Sequence, residues 1–227
     1  MARAIFVVGE TGRGKSYSLR NLEPKETVII NVAGKDLPFP GYMKNYNKKD
    51  GTLVHIMDPL KVASVIIKIG TTPENNHIKN LIIDDFQYLM SDQYMEKAHE
   101  KGFDKFVILA KNMYDLLSPK VLPKLRDDLT IAILTHGELK TDGQIRAKTI
   151  GKMLDEKVTL DGLVTVALHC VLEEFSPGKI EYKFLTNTDG LYGAKSPKGM
   201  FSNMTIDNDL AYVFKRMKEY YEDGIVE

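Results

Sequence analysis

A three-layer α/β fold, a mostly parallel sheet covered by helices, is the architecture predicted from three observations. Apolar, β-branched runs (RAIFVV at 3–8, TVIINV at 27–32, LII at 81–83, LTIAIL at 129–134) alternate with segments of helical period. The first run enters GETGRGKS directly, which fits the phosphate-binding loop pattern G-x-x-x-x-G-K-[ST] at every fixed position. The length, 227 residues, suits one α/β domain, and the expected domain is 1–227.

Residues 3–8 are a short buried strand, and residues 16–22 (SYSLRNL) are read as the opening of a helix. Between them Gly9, Gly12 and Gly14 let the backbone approach phosphate oxygens, so that successive N–H groups point at an anion. Lys15 brings a point charge to the β- and γ-phosphates and Ser16 a hydroxyl to the bridging Mg²⁺. Gly9, Glu10, Thr11, Gly12, Arg13, Gly14, Lys15, Ser16 and Tyr17 are therefore the expected nucleotide-binding residues, with ATP and Mg²⁺ as cofactors.

Residues 27–32 are a buried parallel strand, 33–51 a long loop or surface excursion, and 53–57 a short strand. Asp58 followed by Pro59 is the start of a helix running to about Ile69. The next run, NLIIDDFQYL at 80–89, ends its strand in Asp84 and Asp85, as a Walker B element does. Asp84 would hold Mg²⁺ through water, because a hard cation prefers oxygen ligands; the alternative is an acidic turn capped by Asp85.

Residues 91–105 read as polar and partly helical. Phe103, Phe106, Val107, Ala110, Met113 and Leu117 recur at helical spacing as a core stripe, and a short helix is expected over 120–126. The strand 129–134 ends at Thr135-His136, where His136 is a candidate γ-phosphate sensor or an ordinary strand-end histidine. The loop 137–157 gathers Lys140, Arg146, Lys148 and Lys152 against Asp142; it reads either as a tracker of a nucleic-acid backbone or as a solvated hairpin. Residues 163–172 and 179–186 form a terminal β-hairpin whose second strand is the edge. His169 and Cys170 are expected as buried neighbours, because no second ligand pair stands at zinc spacing. Asp207 is expected to cap a last helix with Ile206, Leu210, Val213, Phe214, Met217 and Tyr221 on one face.

Lysine plus arginine equals aspartate plus glutamate, at 31 each, so no global basic field draws the chain to nucleic acid and any DNA contact must be local. A single cysteine leaves no internal disulfide framework and suits a reducing compartment. No apolar run approaches the roughly 20 residues that span a bilayer, and no signal peptide is evident. A cytoplasmic location, with no membrane partner, is expected.

In this order the parts resemble a RecA-like P-loop NTPase core. More closely, GETGRGKS, TVIINVAGKDLPFPGY, LIIDDFQYL, LTIAILTHGE and TIGKMLDEKVTLDG resemble the small ATP-binding proteins of bacteriophages in the AAA/RecA-like group, which includes proteins associated with single-strand annealing. The resemblance covers nearly the whole chain. It implies ATP on Gly9 to Ser16, Mg²⁺ on Ser16 and Asp84, and DNA-facing loops at 137–157 and 91–105. It also implies assembly into a ring or filament, with Lys195 or Lys198 as a finger into a neighbour's site or as plain surface lysines. One departure stands out: the glutamate usual at the end of the second strand is replaced by Asn31-Val32-Ala33-Gly34. Asp85 is then the first candidate for the catalytic base, Glu10 the second and Asp36 the third.

The expected function is ATP binding or hydrolysis coupled to single-stranded DNA in recombination or replication. Two rivals remain: an ATP-gated switch that binds a replication or recombination protein, and a small-molecule or nucleotide kinase, disfavoured by the scarcity of arginine in its late loops.

Overall fold

The computed structural model describes residues 1–102, 104–151, 154 and 158–227. Its strands are β1 (Arg3–Val8), β2 (Thr27–Asn31), β3 (Leu53–Val54), β4 (Asn80–Asp84), β5 (Thr130–Thr135), β6 (Gly137–Leu139), β7 (Ile145–Ala147), β8 (Val166–Ser176), β9 (Lys179–Leu185) and β10 (Thr205–Asp207). The helices are α1 (Tyr42–Asn45), α2 (Pro59–Thr71), α3 (Gln87–Glu96), α4 (Asp104–Leu117) and α5 (Leu210–Glu222). Eight strands form one sheet in the order β10-β9-β8-β1-β5-β4-β2-β3, and β6 and β7 pair separately. From β8 to β3 every pairing is parallel, while β9 runs antiparallel to both β8 and β10. This is the expected three-layer α/β arrangement with a mostly parallel sheet, and β5 lies between β1, which leads into GETGRGKS, and β4, which ends in Asp84.

Side chains alternate across β1, and the alternation builds two cores. Phe6 and Val8 join Val62 and Ile66 of α2 and Leu109 and Met113 of α4 on one face. Ile5 and Val7 join Leu19, Tyr46 and the α5 residues Leu210, Val213 and Met217 on the other. The long excursion after β2 is thus part of the second layer: Tyr46 is buried and its hydroxyl donates to the Leu22 carbonyl at 3.1 Å. Burial pushes that phenol up to about 12.

Several local expectations change. No α-helix follows the phosphate loop; Ser16–Leu19 form one 3-10 turn, because Pro24 and β2 follow too soon for a longer helix. The expected strand 53–57 is only Leu53–Val54, and the helix expected over 120–126 is a 3-10 turn at Leu122–Lys124. α4 buries Leu109, Ala110, Met113, Leu116 and Leu117, whereas Val107 is 45% exposed; Phe103 lies outside the described residues. The edge strand is β10 rather than β9.

The cap of the last helix also moves. Ile206 and Asp207 belong to β10, with Asp207 opposite Lys183, and Asp209 caps α5 by accepting from the Ala211 N–H at 2.9 Å. Asp209→Ala is expected to cost about 1 kcal/mol in urea unfolding. Asp207→Ala, which removes only an exposed pair with Lys183, should change stability by less than about 0.5 kcal/mol. Among the described residues no helix is long and apolar enough to cross a membrane.

Candidate nucleotide-binding site

The carboxyl end of β1 lies near the centre of the sheet, and its neighbours tie the loop that leaves it. The Gly9 N–H donates to the Thr135 carbonyl at 3.2 Å, and Gly9 accepts from the Gly137 N–H at 3.4 Å. Gly12 and Gly14 have φ of +78° and +89°, a region that side chains rarely enter. A Cβ on Gly9 would stand 2.8 Å from that of Cys170, and one on Gly14 would stand 2.8 Å from the Tyr182 ring. Glycine is required at both by close approach.

Lys15 is 6% exposed, and its ammonium donates to the Gly9 and Glu10 carbonyls at 2.8 and 3.0 Å. Burial lowers its pKa, against the pull of Cys170, Asp85 and Asp84. No ion pair among the described residues includes it, so the loop holds a desolvated cation with no carboxylate on it, an arrangement suited to an incoming anion. Ser16 Oγ donates to Asp84 Oδ1 at 2.9 Å. The parallel register that sets Asn31 opposite Asp84 brings the ends of β2 and β4 to the same level. Burial, with Asp85 adding to it, pushes the Asp84 carboxyl up to about 6; Ser16, Lys15 and Lys35 act in the opposite sense. Among the described residues no three histidine, cysteine, aspartate or glutamate side chains converge as a metal cage. The hydroxyl and carboxylate pair fits a Mg²⁺ completed by phosphate oxygens and water.

Asp85 occupies a left-handed conformation, φ +62°, and is 4% exposed. Such backbone costs on the order of 1–3 kcal/mol and marks a position fixed by its surroundings. Lys35 Nζ stands 2.6 Å from Asp85 Oδ2, Gln87 Nε2 donates to Oδ1 at 3.3 Å, and His136 Nε2 is 3.8 Å from Oδ1, beyond hydrogen-bond reach. Burial, then Lys15, lower the His136 pKa, with Asp85 acting the other way, so the ring is neutral near pH 7. Gln87 Oε1 accepts from Thr135 Oγ1 at 3.3 Å and from the His136 N–H at 3.2 Å, joining the end of β4 to the end of β5. Lys35 and Gln87 were not singled out in the sequence; an amide following two aspartates at a strand end was the only signal.

The other expected residues are distributed as follows. Glu10 pairs with Arg13 inside the loop at 3.2 Å, and Thr11 is exposed. The Tyr17 ring lies under the Arg20 guanidinium, 4.3 Å from the centroid, and 5.6 Å from the Tyr182 ring. Asp36 accepts from the Tyr42 hydroxyl. In the basic segment, β6 and β7 pair as a hairpin; Lys140 reaches Glu138 at 2.5 Å, Arg146 pairs with Asp142, and Lys148 is exposed. Lys152 lies outside the described residues. Lys195 pairs through its backbone with Ala167 of β8, level with Phe6 of β1, and is thus below the phosphate loop. Lys198 is exposed, and its carbonyl accepts from the Tyr220 hydroxyl at 3.2 Å.

His169 and Cys170 are both fully buried. Burial pushes the Cys170 thiol up to about 12, more than Lys15 and Asn208 pull it down. Ellman's reagent is therefore expected to label the native protein on the order of 100-fold more slowly than the guanidinium-unfolded chain.

These contacts bring together a glycine loop, a buried ammonium and a hydroxyl–carboxylate pair, a candidate site for a nucleotide phosphate. No family model matches the chain, and no curated protein does. Among solved structures the chain is similar to the flagellar accessory protein FlaH from Methanocaldococcus jannaschii, at 17% identity, over 90% of this chain and 83% of that one, with a TM-score of 0.48.

Proposed function

We propose that the protein is a phage-type ATPase that couples Mg·ATP binding or hydrolysis to the handling of single-stranded DNA in recombination or replication. The observation that carries the nucleotide half is the buried, carboxylate-free Lys15 ammonium beside the Ser16–Asp84 pair. Mg²⁺, when bound there, supplies charge neutralisation at the β- and γ-phosphates. Lys15 adds a second positive charge, and Asp85, which follows Asp84 at the end of β4, is the carboxylate assigned to orient water. The DNA half rests on the β6–β7 hairpin, which leaves the end of β5 next to His136 and carries Lys140, Arg146 and exposed Lys148. Because Lys140 and Arg146 are already paired with acids, Lys148 is the first residue to test for phosphate contact.

ATP turnover with and without single-stranded DNA tests the coupling. The proposal expects DNA to raise turnover, and Lys148→Glu to abolish that rise without changing the DNA-free rate. Equal rates in the presence and absence of DNA, with no acceleration of strand annealing, would remove the DNA half.

A second reading has its own observation. The β8–β9 hairpin extends past the last residue of β1, lays Tyr182 on Gly14, and exposes Phe175 and Ile180 by 74% and 64%. Apolar side chains on an arm that touches the phosphate loop suit a nucleotide-gated protein partner. In that reading ATP binds with negligible turnover.

A further inference from the structure

We infer that Lys35 reads the terminal phosphate of the bound nucleotide, an ammonium supplied by the chain to its own site and held ready on Asp85. This role rests on the reading of Gly9 to Ser16 as a nucleoside triphosphate site.

The backbone around Lys35 is built to place it. Asn31, 5% exposed, ends β2, and its side-chain amide donates to the Lys35 carbonyl at 2.5 Å, while its own carbonyl accepts from the Gly34 N–H at 3.3 Å and lies 3.0 Å from His55 Nδ1. Gly34 takes φ +65°, and a Cβ there would press on the His55 imidazole at 3.2 Å. The turn is thus closed on both sides, yet the Lys35 side chain remains 60% exposed.

Its charge has a defined direction. The ammonium sits 2.6 Å from Asp85 Oδ2 and 5.6 Å from the centre of the Tyr88 ring, whose face favours a cation. Asp85 adjoins Asp84, and Lys35 is close enough to Lys15 to lower the tendency of that ammonium to hold a proton, while both lysines act in the same sense on His136. Two cations therefore border one region, Lys15 buried and Lys35 exposed. Lys15 alone is fixed by loop carbonyls; Lys35 has a carboxylate that Gln87 also satisfies, so the ammonium can be shared with a further anion without stranding Asp85. A diphosphate satisfies the phosphate loop, whereas the extra charge of a triphosphate is what a second, exposed cation distinguishes. The position follows β2, where the usual glutamate is absent: the chain places a cation there and leaves the carboxylate on β4.

The test is calorimetric titration of the full chain with Mg·ATP and, separately, Mg·ADP, for wild type, Lys35→Ala and Lys35→Gln. The glutamine variant retains a donor for Asp85 and guards against loss of fold. Wild type should bind ATP more tightly than ADP. Both variants should weaken ATP about tenfold, or about 1.4 kcal/mol, and leave ADP within about twofold. An unchanged ratio of the two affinities, or an equal loss of both, overturns the role of Lys35 while the nucleotide site stands. Wild type that binds neither nucleotide overturns the site itself and this role with it.

Discussion

Lys15→Ala is expected to weaken Mg·ATP binding by at least about 100-fold in a calorimetric titration, while the circular dichroism spectrum stays that of the wild type. Removing one member of a desolvated, hydrogen-bonded charge pair typically costs 2–5 kcal/mol, and about 2.7 kcal/mol corresponds to that factor. The effect is large because the ammonium is buried and no acid neutralises it. In the proposed function a phosphate is the missing half of the pair. A loss smaller than about threefold would mean that the backbone amides of the loop alone hold the anion.

Asp84→Asn should make the nucleotide-free protein more stable and remove the Mg²⁺ dependence of ATP affinity. The sign follows from the direction of the shift. Burial and neighbouring Asp85 raise the Asp84 carboxyl to about 6, above its unfolded value, so the folded state holds this proton more tightly than the unfolded chain. That contribution to stability is fully present below the unfolded pKa of about 4 and is lost as pH rises through about 6. Near pH 7.5 the ionised carboxylate therefore burdens the fold, by up to about 3 kcal/mol for a shift of this size. Asparagine keeps an acceptor for the Ser16 hydroxyl and carries no charge. Urea unfolding should show a gain of about 1–3 kcal/mol near pH 7.5 that shrinks as pH is lowered toward 4. Added Mg²⁺ should no longer tighten ATP binding. A variant less stable than wild type at neutral pH would contradict the burial of an ionised Asp84.

What was legible in the sequence was local. The β1 run, GETGRGKS and the LIIDD strand end are each specified within ten residues, and their pairing through β5 follows from ordinary α/β connectivity. The helix start at Asp58-Pro59 was legible for the same reason: the Asp58 side chain accepts from the Leu60 N–H at 2.8 Å. What failed depended on partners distant in the chain. Asp207 and Asp209 are equally good caps in isolation, and the choice is made when Thr205 to Asp207 pair with β9. The buried face of α4 rotates from Val107 to Leu109 and Leu116 according to the helices and sheet it meets. Lys35 and Asp85 are fifty positions apart and meet only because the β2–β4 register aligns Asn31 with Asp84.

The 3-10 turn after the phosphate loop is a different case. Only eight residues separate Lys15 from Pro24, so its brevity was visible in the spacing and outweighed by the helix habit of the motif. In the proposed function a bound phosphate would be held by loop amides and Lys15, with little contribution from a helix dipole.

Calorimetric titration of the wild-type chain with ATP, in the presence and absence of Mg²⁺, tests the central claim most directly. Saturable one-to-one binding that tightens with Mg²⁺ is the result predicted by a carboxylate-free Lys15 beside the Ser16–Asp84 pair. Absence of binding under both conditions would contradict it.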